Sequence, residues 1–305
     1  MTITQIEYIL AVAKYNNFRK AALSCHVTQP TLSVQVQKLE EALGVSLFDR
    51  TKSPIVLTKI GRVIIEQAKI AYCEYGKIKE LIEIDKGLFS GELNIGVIPT
   101  IAPYLIPRFI GSFSKNFPHL MLSVWEMTTQ RCLDELDKEN IDVAILATPE
   151  SLRLYQQEKL FDEELLLFVN KKHPLAKKSR IKPTELHASH LWMLEEGHCL
   201  REDIITACRL RAELKKRPGN LTIQSGNLES IRFLVQEQFG YTLLPYLSTL
   251  KLSDPEKNLL RRFYGTPPFR TVYLTKRKQH LKSAAINALK TEIQKSVAVS
   301  LNLTQ

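Results

Sequence analysis

The sequence has no uninterrupted apolar run near the roughly 18 residues that cross a bilayer, and its N-terminus lacks the basic and apolar pattern of a secretory signal. No membrane partner and a cytoplasmic location are therefore expected. Cysteine is scarce. Five among 305 residues, without framework spacing, exclude a disulfide-stapled secreted scaffold and fit a reducing compartment in which a disulfide is transient. Also missing are Gly-Lys-Ser/Thr of the Walker type, Gly-x-Gly-x-x-Gly, His-Glu-x-x-His and Gly-x-Ser-x-Gly, so the sequence gives no support for a kinase, dehydrogenase or hydrolase. A non-enzymatic chain without cofactor is expected. Acidic residues are outnumbered, and the net charge of +10 fits a polyanionic partner. The excess does not locate one, because Lys and Arg exceed Asp and Glu by 12 to 9 up to Lys86 and by 30 to 23 beyond it.

What is present begins with helical periodicity. Ile6, Ile9, Leu10 and Ala13 recur at helix spacing between Ile3 and Lys14, with Thr4 as the expected cap and Glu7 completing a capping box. A short helix is predicted over Phe18–Leu23, a turn over Ser24, Cys25 and His26, and a third helix capped by Thr28 with Pro30 in its first turn. Leu32, Val36, Leu39 and Leu43 share its inward face. Gln29, Thr31, Ser33, Gln35 and Lys38 are left on its flanks and outer side, and amides, hydroxyls and an ammonium are groups that bond base edges and phosphates in a major groove. After Gly44, the stretches Val45–Phe48 and Ile55–Leu57 flank a tip carrying Arg50 and Lys52, a hairpin suited with Arg19 to the phosphate backbone. A three-helix unit whose polar face is merely solvated competes with this winged helix-turn-helix reading of the pattern.

The ordered run from Phe18 to Gly61 decides between them. Ala21-Ala22, Thr28-Gln-Pro-Thr-Leu-Ser33, Gln37-Lys-Leu-Glu40, Leu43-Gly44, Leu47-Phe-Asp-Arg50, Leu57-Thr58 and Gly61 together resemble the N-terminal domain of LysR-type transcriptional regulators. The resemblance implies a winged helix-turn-helix over residues 1–58 that binds double-stranded promoter DNA. From Thr58 a long helix is predicted to Lys86, a linker over 59–86 before a hinge at 87–90. Ile64, Ala68, Ala71, Tyr75, Ile78 and Ile82 step by four and three along it, a heptad seam whose natural partner is a second copy of the chain. Packing on the helix's own domain is the alternative. A homotetramer is implied by the resemblance alone.

Residues 91–305 read as an α/β effector domain. Strand-like segments Leu93–Ile98, Leu120–Met127 and Ile141–Leu146 alternate with helix-like Pro103–Asn116 and Gln130–Lys138, which implies a parallel sheet covered by helices. After a buried strand at Glu164–Asn170 the pattern repeats through Leu191–Leu194, a helix from Cys199, Leu221–Gln224, Leu228–Gln238 and Tyr241–Leu244. Two lobes are expected, lobe I over about 91–161 and 268–305 and lobe II over about 162–267, with a cleft where ligands tend to bind. In LysR-type regulators this region resembles periplasmic binding proteins.

Within it, Cys199 opens a predicted helix and Cys208 lies near its far end. Nine helical residues advance about 13.5 Å, whereas a disulfide needs alpha carbons within about 7 Å, so bonding the two thiols requires the helix to melt. Three readings stay open on these residues: a redox switch, two unrelated core cysteines, or a metal cluster of Cys199 with His187, His190 and His198. A helix N-terminus and the neighbouring His198 and Arg201 favour a thiolate at Cys199, while Cys208 shares an apolar stripe with Ile204 and Ile205.

Gly197-His-Cys-Leu-Arg201 with Cys208, Gly96–Leu105, Asp142–Leu146, Thr242–Pro245 and Arg270-Thr271 are similar to the hydrogen peroxide-sensing members of the LysR-type family. That resemblance implies that Cys199 is the peroxidatic thiol and Cys208 its resolving partner. It also places Thr100, Thr129, His198 and Arg270 with Cys199 in or around a peroxide pocket. Oxidative-stress genes would be the targets, with RNA polymerase and a thiol reductant as further partners. Before Tyr241 the family usually shows several small residues, whereas Gln238-Phe239-Gly240 keeps one glycine. A regulator answering a small organic effector in the cleft and a thiol-dependent peroxidase are the alternatives.

Overall fold

The computed structural model describes residues 1–85, 90–147, 155–208, 210–211, 225–278 and 282–301, with the backbone alone for residue 77 and residues 79–85. The chain divides into two compact units, Met1–Gly87 with Gln279–Ser283, and Leu88–Lys278 with Ala284–Gln305. The hinge expected at 87–90 lies almost wholly outside the described residues, as does the strand expected at Leu221–Gln224.

In the first unit α1 (Ile3–Tyr15), α2 (Phe18–Ser24) and α3 (Gln29–Leu43) precede a hairpin of β1 (Phe48–Asp49) and β2 (Val56–Leu57), then α4 (Lys59–Asp85). Thr2, not Thr4, caps α1. Its hydroxyl accepts from the Gln5 amide and its own amide donates to the Gln5 side chain, so the capping box lies two residues earlier than expected and starts the helix one turn before the first buried residue, Ile6. Asn17 caps α2 and Thr28 caps α3. Leu32, Val36 and Leu39 of α3 are fully enclosed with Ile9, Val12, Ala21 and Leu47, each of the larger side chains contributing roughly 1.5–3 kcal/mol by leaving water. Gly61 permits the close approach of α4 to the wing, because a Cβ there would lie 2.1 Å from the Leu47 carbonyl oxygen.

Glu40 anchors the wing. One carboxylate oxygen accepts the amides of Leu47 and Phe48 at 2.7 and 3.2 Å, and the other accepts Arg50 at 2.8 Å. Arg50 also lies over the Phe18 ring, which packs edge-on against Phe48. Replacing Glu40 by Ala therefore strands two wing amides and a guanidinium, and should lower the stability of this unit by roughly 1.5–3 kcal/mol, measurable as an earlier thermal transition. An unshifted transition would mean that water replaces the carboxylate at no cost.

The second unit holds β3 (Gly91–Val97), α5 (Ala102–Asn116), β4 (Leu120–Glu126), α6 (Thr129–Asp137), β5 (Val143–Ala147) and β6 (Tyr155–Val169). Beyond them lie β7 (Arg180–Ile181), α7 (Cys199–Ala207), α8 (Leu228–Glu237), β8 (Tyr241–Pro245), α9 (Tyr246–Thr249), α10 (Asp254–Lys257), β9 (Leu260–Phe263), β10 (Phe269–Arg277) and α11 (Ser283–Ala298). The sheet is mixed, not parallel throughout. β3 pairs in parallel with β4 and β5, but the long β6 and β10 run antiparallel to each other across the middle, in the order β4-β3-β5-β10-β6-β9-β7 with β8 on β6. Two apolar cores result, one under β3, β5, α5 and α11, the other around β6, β8, α7 and α8. Leu191–Leu194 forms no strand. Only Leu191 makes a bridge, to Tyr241, and the segment is held instead by burial of Leu191, Met193 and Leu194.

Candidate functional site

On the first unit Gln29, Thr31 and Lys38 stand exposed on α3, and Arg19 is exposed on α2. Ser33 is half-buried, and Gln35 is half-buried with its carbonyl oxygen accepting from the Gln5 side chain at 3.3 Å. The side chains predicted to read DNA thus share one helix, with Gln35 partly committed to α1. Lys52 is exposed on the wing beside Asp49, at 3.9 Å. Arg50 is not a free cation at the tip, because Glu40 and Phe18 hold it.

The seam predicted along α4 is split. Ala68 is buried in the unit's own core and Ile64 packs against it, together with Ile65. The reason is register: the first turns of α4 face α1, so apolar residues at that spacing are consumed within the domain. Further along, Ala71, Tyr75 and Ile78 are exposed, Ile78 by 56%, as are Val63 and Ile70. The Ile82 side chain lies outside the described residues.

In the second unit Cys199 and Thr129 each occupy the first position of a helix, α7 and α6, and their side chains meet, Oγ1 to Sγ, at 2.9 Å. The free amides of a helix N-terminus favour negative charge, and here two such ends converge on one sulfur. Cys199 is half-buried, while His198, the residue before it, is buried with Nε2 3.7 Å from the Glu195 carboxylate. The absent side chain of Gly226 leaves room for that ring, since a Cβ there would lie 3.0 Å from Nε2. Arg201 turns away and donates to the Leu194 carbonyl at 2.9 Å. Cys208, at the far end of α7, is buried, and burial pushes its thiol up to about 12.

Thr100 and Arg270 form a second pair. Arg270 donates to the Thr100 hydroxyl and to its carbonyl, both at 3.0 Å, and both residues are buried. Arg270 lies on β10, against which α7 packs. The structure therefore brings together Cys199 with Thr129 and Thr100 with Arg270, with His198 next to Cys199 along the chain. Sequence reasoning missed Glu163, the buried carboxylate that holds Arg270. Its signal was present, because Phe161, Glu163 and Leu165 alternate as inward positions of a strand. It also missed Tyr104, whose hydroxyl donates from α5 to Glu229 of α8 at 2.6 Å.

Two other histidines of this unit meet each other. His190 Nδ1 lies 3.2 Å from His173 Nε2, and Phe239 packs on both rings, so the Gln238-Phe239-Gly240 wall carries an imidazole pair. Burial and the neighbouring His190 hold His173 below the usual imidazole range. Gly240 has no substitute there, since a Cβ would lie 2.5 Å from the His190 carbonyl oxygen. Among the described residues no three His, Cys, Asp or Glu side chains are placed to hold a metal ion, and no helix is long and apolar enough to cross a membrane.

A winged helix-turn-helix and a two-core α/β unit, carried in one chain, define a DNA-binding regulator with its own sensing domain. Comparison with known families gives the same class. Residues 3–62 match the bacterial regulatory helix-turn-helix protein, lysR family, and residues 86–298 match the LysR substrate binding domain. The chain belongs to the LysR family of transcription regulators. It is similar to the hydrogen peroxide-inducible genes activator of Pectobacterium carotovorum subsp. carotovorum, 36% identical over 277 residues that cover 91% of this chain and 90% of that one. The DNA-binding transcriptional dual regulator OxyR of Escherichia coli (strain K12) is 37% identical over 248 residues, 81% of this chain and 80% of that one. Full-length OxyR of Pseudomonas aeruginosa, solved as a cysteine-to-aspartate variant, superposes with a TM-score of 0.66 at 33% identity, covering 96% of this chain and 98% of that one.

Proposed function

We propose that this chain is a hydrogen peroxide-sensing transcription regulator. The observation that carries the reading is the Thr129–Cys199 contact at the head of α7, with the second cysteine at its tail. The thiolate attacks one peroxide oxygen, the O–O bond breaks, and the departing hydroxide takes a proton from solvent to become water. Cys199 is left as a sulfenic acid. Cys208 then displaces water from that sulfur and closes a disulfide. Thr100, Thr129, His198 and Arg270 hold the peroxide and stabilise the departing oxygen by hydrogen bonds. The relatives' names, hydrogen peroxide-inducible genes activators and OxyR, support the choice of oxidant.

The domain division read from the sequence serves this function: DNA binding over 1–58, dimerisation over 59–86, a hinge at 87–90 and redox sensing over 91–305. The exposed apolar residues Ala71, Tyr75 and Ile78 support pairing of two copies through α4, which gives two α3 helices for a two-fold promoter site. A homotetramer, RNA polymerase and a cytoplasmic thiol reductant complete the set of partners. Gln29, Thr31, Ser33, Lys38 and Arg19 contact DNA directly. Gln35 and Arg50 act mainly by positioning α1 and the wing, and Lys52 meets phosphate.

The test is chemical. The reduced protein receives a slight excess of peroxide, free thiols are alkylated within seconds, and the peptides are mapped. A Cys199–Cys208 bridge should form while Cys25, Cys73 and Cys132 remain alkylated, and Cys208→Ser should leave Cys199 oxidised without a bridge. Slow oxidation spread over all five thiols would remove peroxide as the signal.

A further inference from the structure

We propose that Glu163 is a positioning residue for the peroxide step, acting on Cys199 chemistry through Arg270 and the Thr100 hydroxyl. The inference rests on the peroxide-sensing reading above. Glu163 and Arg270 stand directly opposite each other on antiparallel β6 and β10, where the two strands cross the middle of the sheet. Both are enclosed, with side chains 0% and 1% exposed. One oxygen of Glu163 accepts Arg270 Nε at 2.8 Å and Nη2 at 2.7 Å. The other accepts the Leu247 amide at 2.7 Å, so the carboxylate is itself fixed by the first turn of α9.

This clamp determines what Arg270 can do. With Nε and Nη2 held by Glu163, the guanidinium plane has one orientation, and Nη1 and Nη2 are presented to the Thr100 hydroxyl and carbonyl. A threonine hydroxyl carries one donor and two acceptor sites. Because Arg270 occupies an acceptor site, the hydroxyl proton must point away from the guanidinium, and Thr100 becomes a donor of fixed direction polarised by a cation. Such a donor is what an oxygen gaining negative charge requires as O–O breaks. Without the carboxylate the guanidinium is free to rotate, and the hydroxyl loses both its polarisation and its direction. A wholly structural ion pair would affect stability but not the selectivity of the thiol between electrophiles.

The experiment compares two reactions of Cys199 in the full-length reduced protein: oxidation by hydrogen peroxide and alkylation by iodoacetamide. Iodide departs without a hydrogen-bond donor, so alkylation reports thiol exposure and ionisation alone. Glu163→Gln keeps the acceptor for Leu247 but removes the charge that holds Arg270. Its peroxide rate should fall by roughly tenfold or more while its alkylation rate stays at the wild-type value. Glu163→Asp, which keeps the charge but withdraws it by one methylene, should fall between the two and serves as the test if the Gln variant does not fold. Equal proportional losses in both reactions, or no loss in either, overturn the proposal. A wild-type Cys199 that reacts with peroxide no faster than a free cysteine overturns the peroxide reading and this proposal together. A fast wild type matched by equally fast variants overturns this proposal alone.

Discussion

Addition of hydrogen peroxide to the reduced protein should abolish amide hydrogen-exchange protection across residues 199–208, and reduction should restore it. The nine residues of α7 separate the two cysteines by about 13.5 Å of helical rise, twice the separation that a disulfide allows. Closing the bridge therefore breaks the backbone bonds of α7, including the Cys208 amide to the Ile204 carbonyl at 3.0 Å. It also withdraws Leu200, Ile204 and Ile205 from the core they share with β6 and β8, at roughly 1.5–3 kcal/mol each if fully exposed. Two-state behaviour follows, because no intermediate spacing satisfies both the helix and the bond. Cys208→Ser should keep full protection after peroxide. A bridge found by mass spectrometry with protection retained would refute the melting step, whatever the fate of the signal.

The second large effect is on stability. Arg270→Met should cost about 3–5 kcal/mol, read as a lower denaturant midpoint at unchanged slope, because it leaves the fully enclosed Glu163 carboxylate without its cation. Adding Glu163→Gln to that variant should recover much of the loss, since the amide oxygen still accepts from Leu247 and no charge remains buried. The double variant should nonetheless stay slow with peroxide, for it lacks the guanidinium that orients Thr100. Stability and reactivity would thereby separate within one site. An Arg270→Met protein as stable as the wild type would mean that water reaches Glu163 and replaces the guanidinium at no cost.

Leu32, Val36 and Leu39 of the expected inward stripe read correctly because a lone helix on a small core has one buried face and a strict period, whereas Leu43, expected with them, is exposed by 38% in the last turn, where the helix runs past the core. The Thr28 cap and the start of α7 at Cys199 were legible for a similar reason, since capping and helix spacing are local properties of the chain. Cys208 was expected to be buried from its stripe, and it is. The α1 cap was misplaced because Thr2 and Thr4 both precede an amide or carboxylate at the right interval, and the choice depends on which turn the core needs.

The sequence by itself determined the helix-turn-helix, through its ordered resemblance to a family, and also the alternation of strands and helices and the incompatibility of a Cys199–Cys208 bond with the helix between them, which follow from spacing along one chain. Only the tertiary structure decided that Ala68 belongs to its own domain's core, that Glu40 and Phe18 hold Arg50, that Thr129 meets Cys199, and that Glu163 orients Arg270. These pairs lie on separate elements, from 10 to 107 residues apart where they are hydrogen-bonded. A carboxylate becomes a clamp, and a threonine a donor of fixed direction, only when the fold has removed water and left one partner within reach.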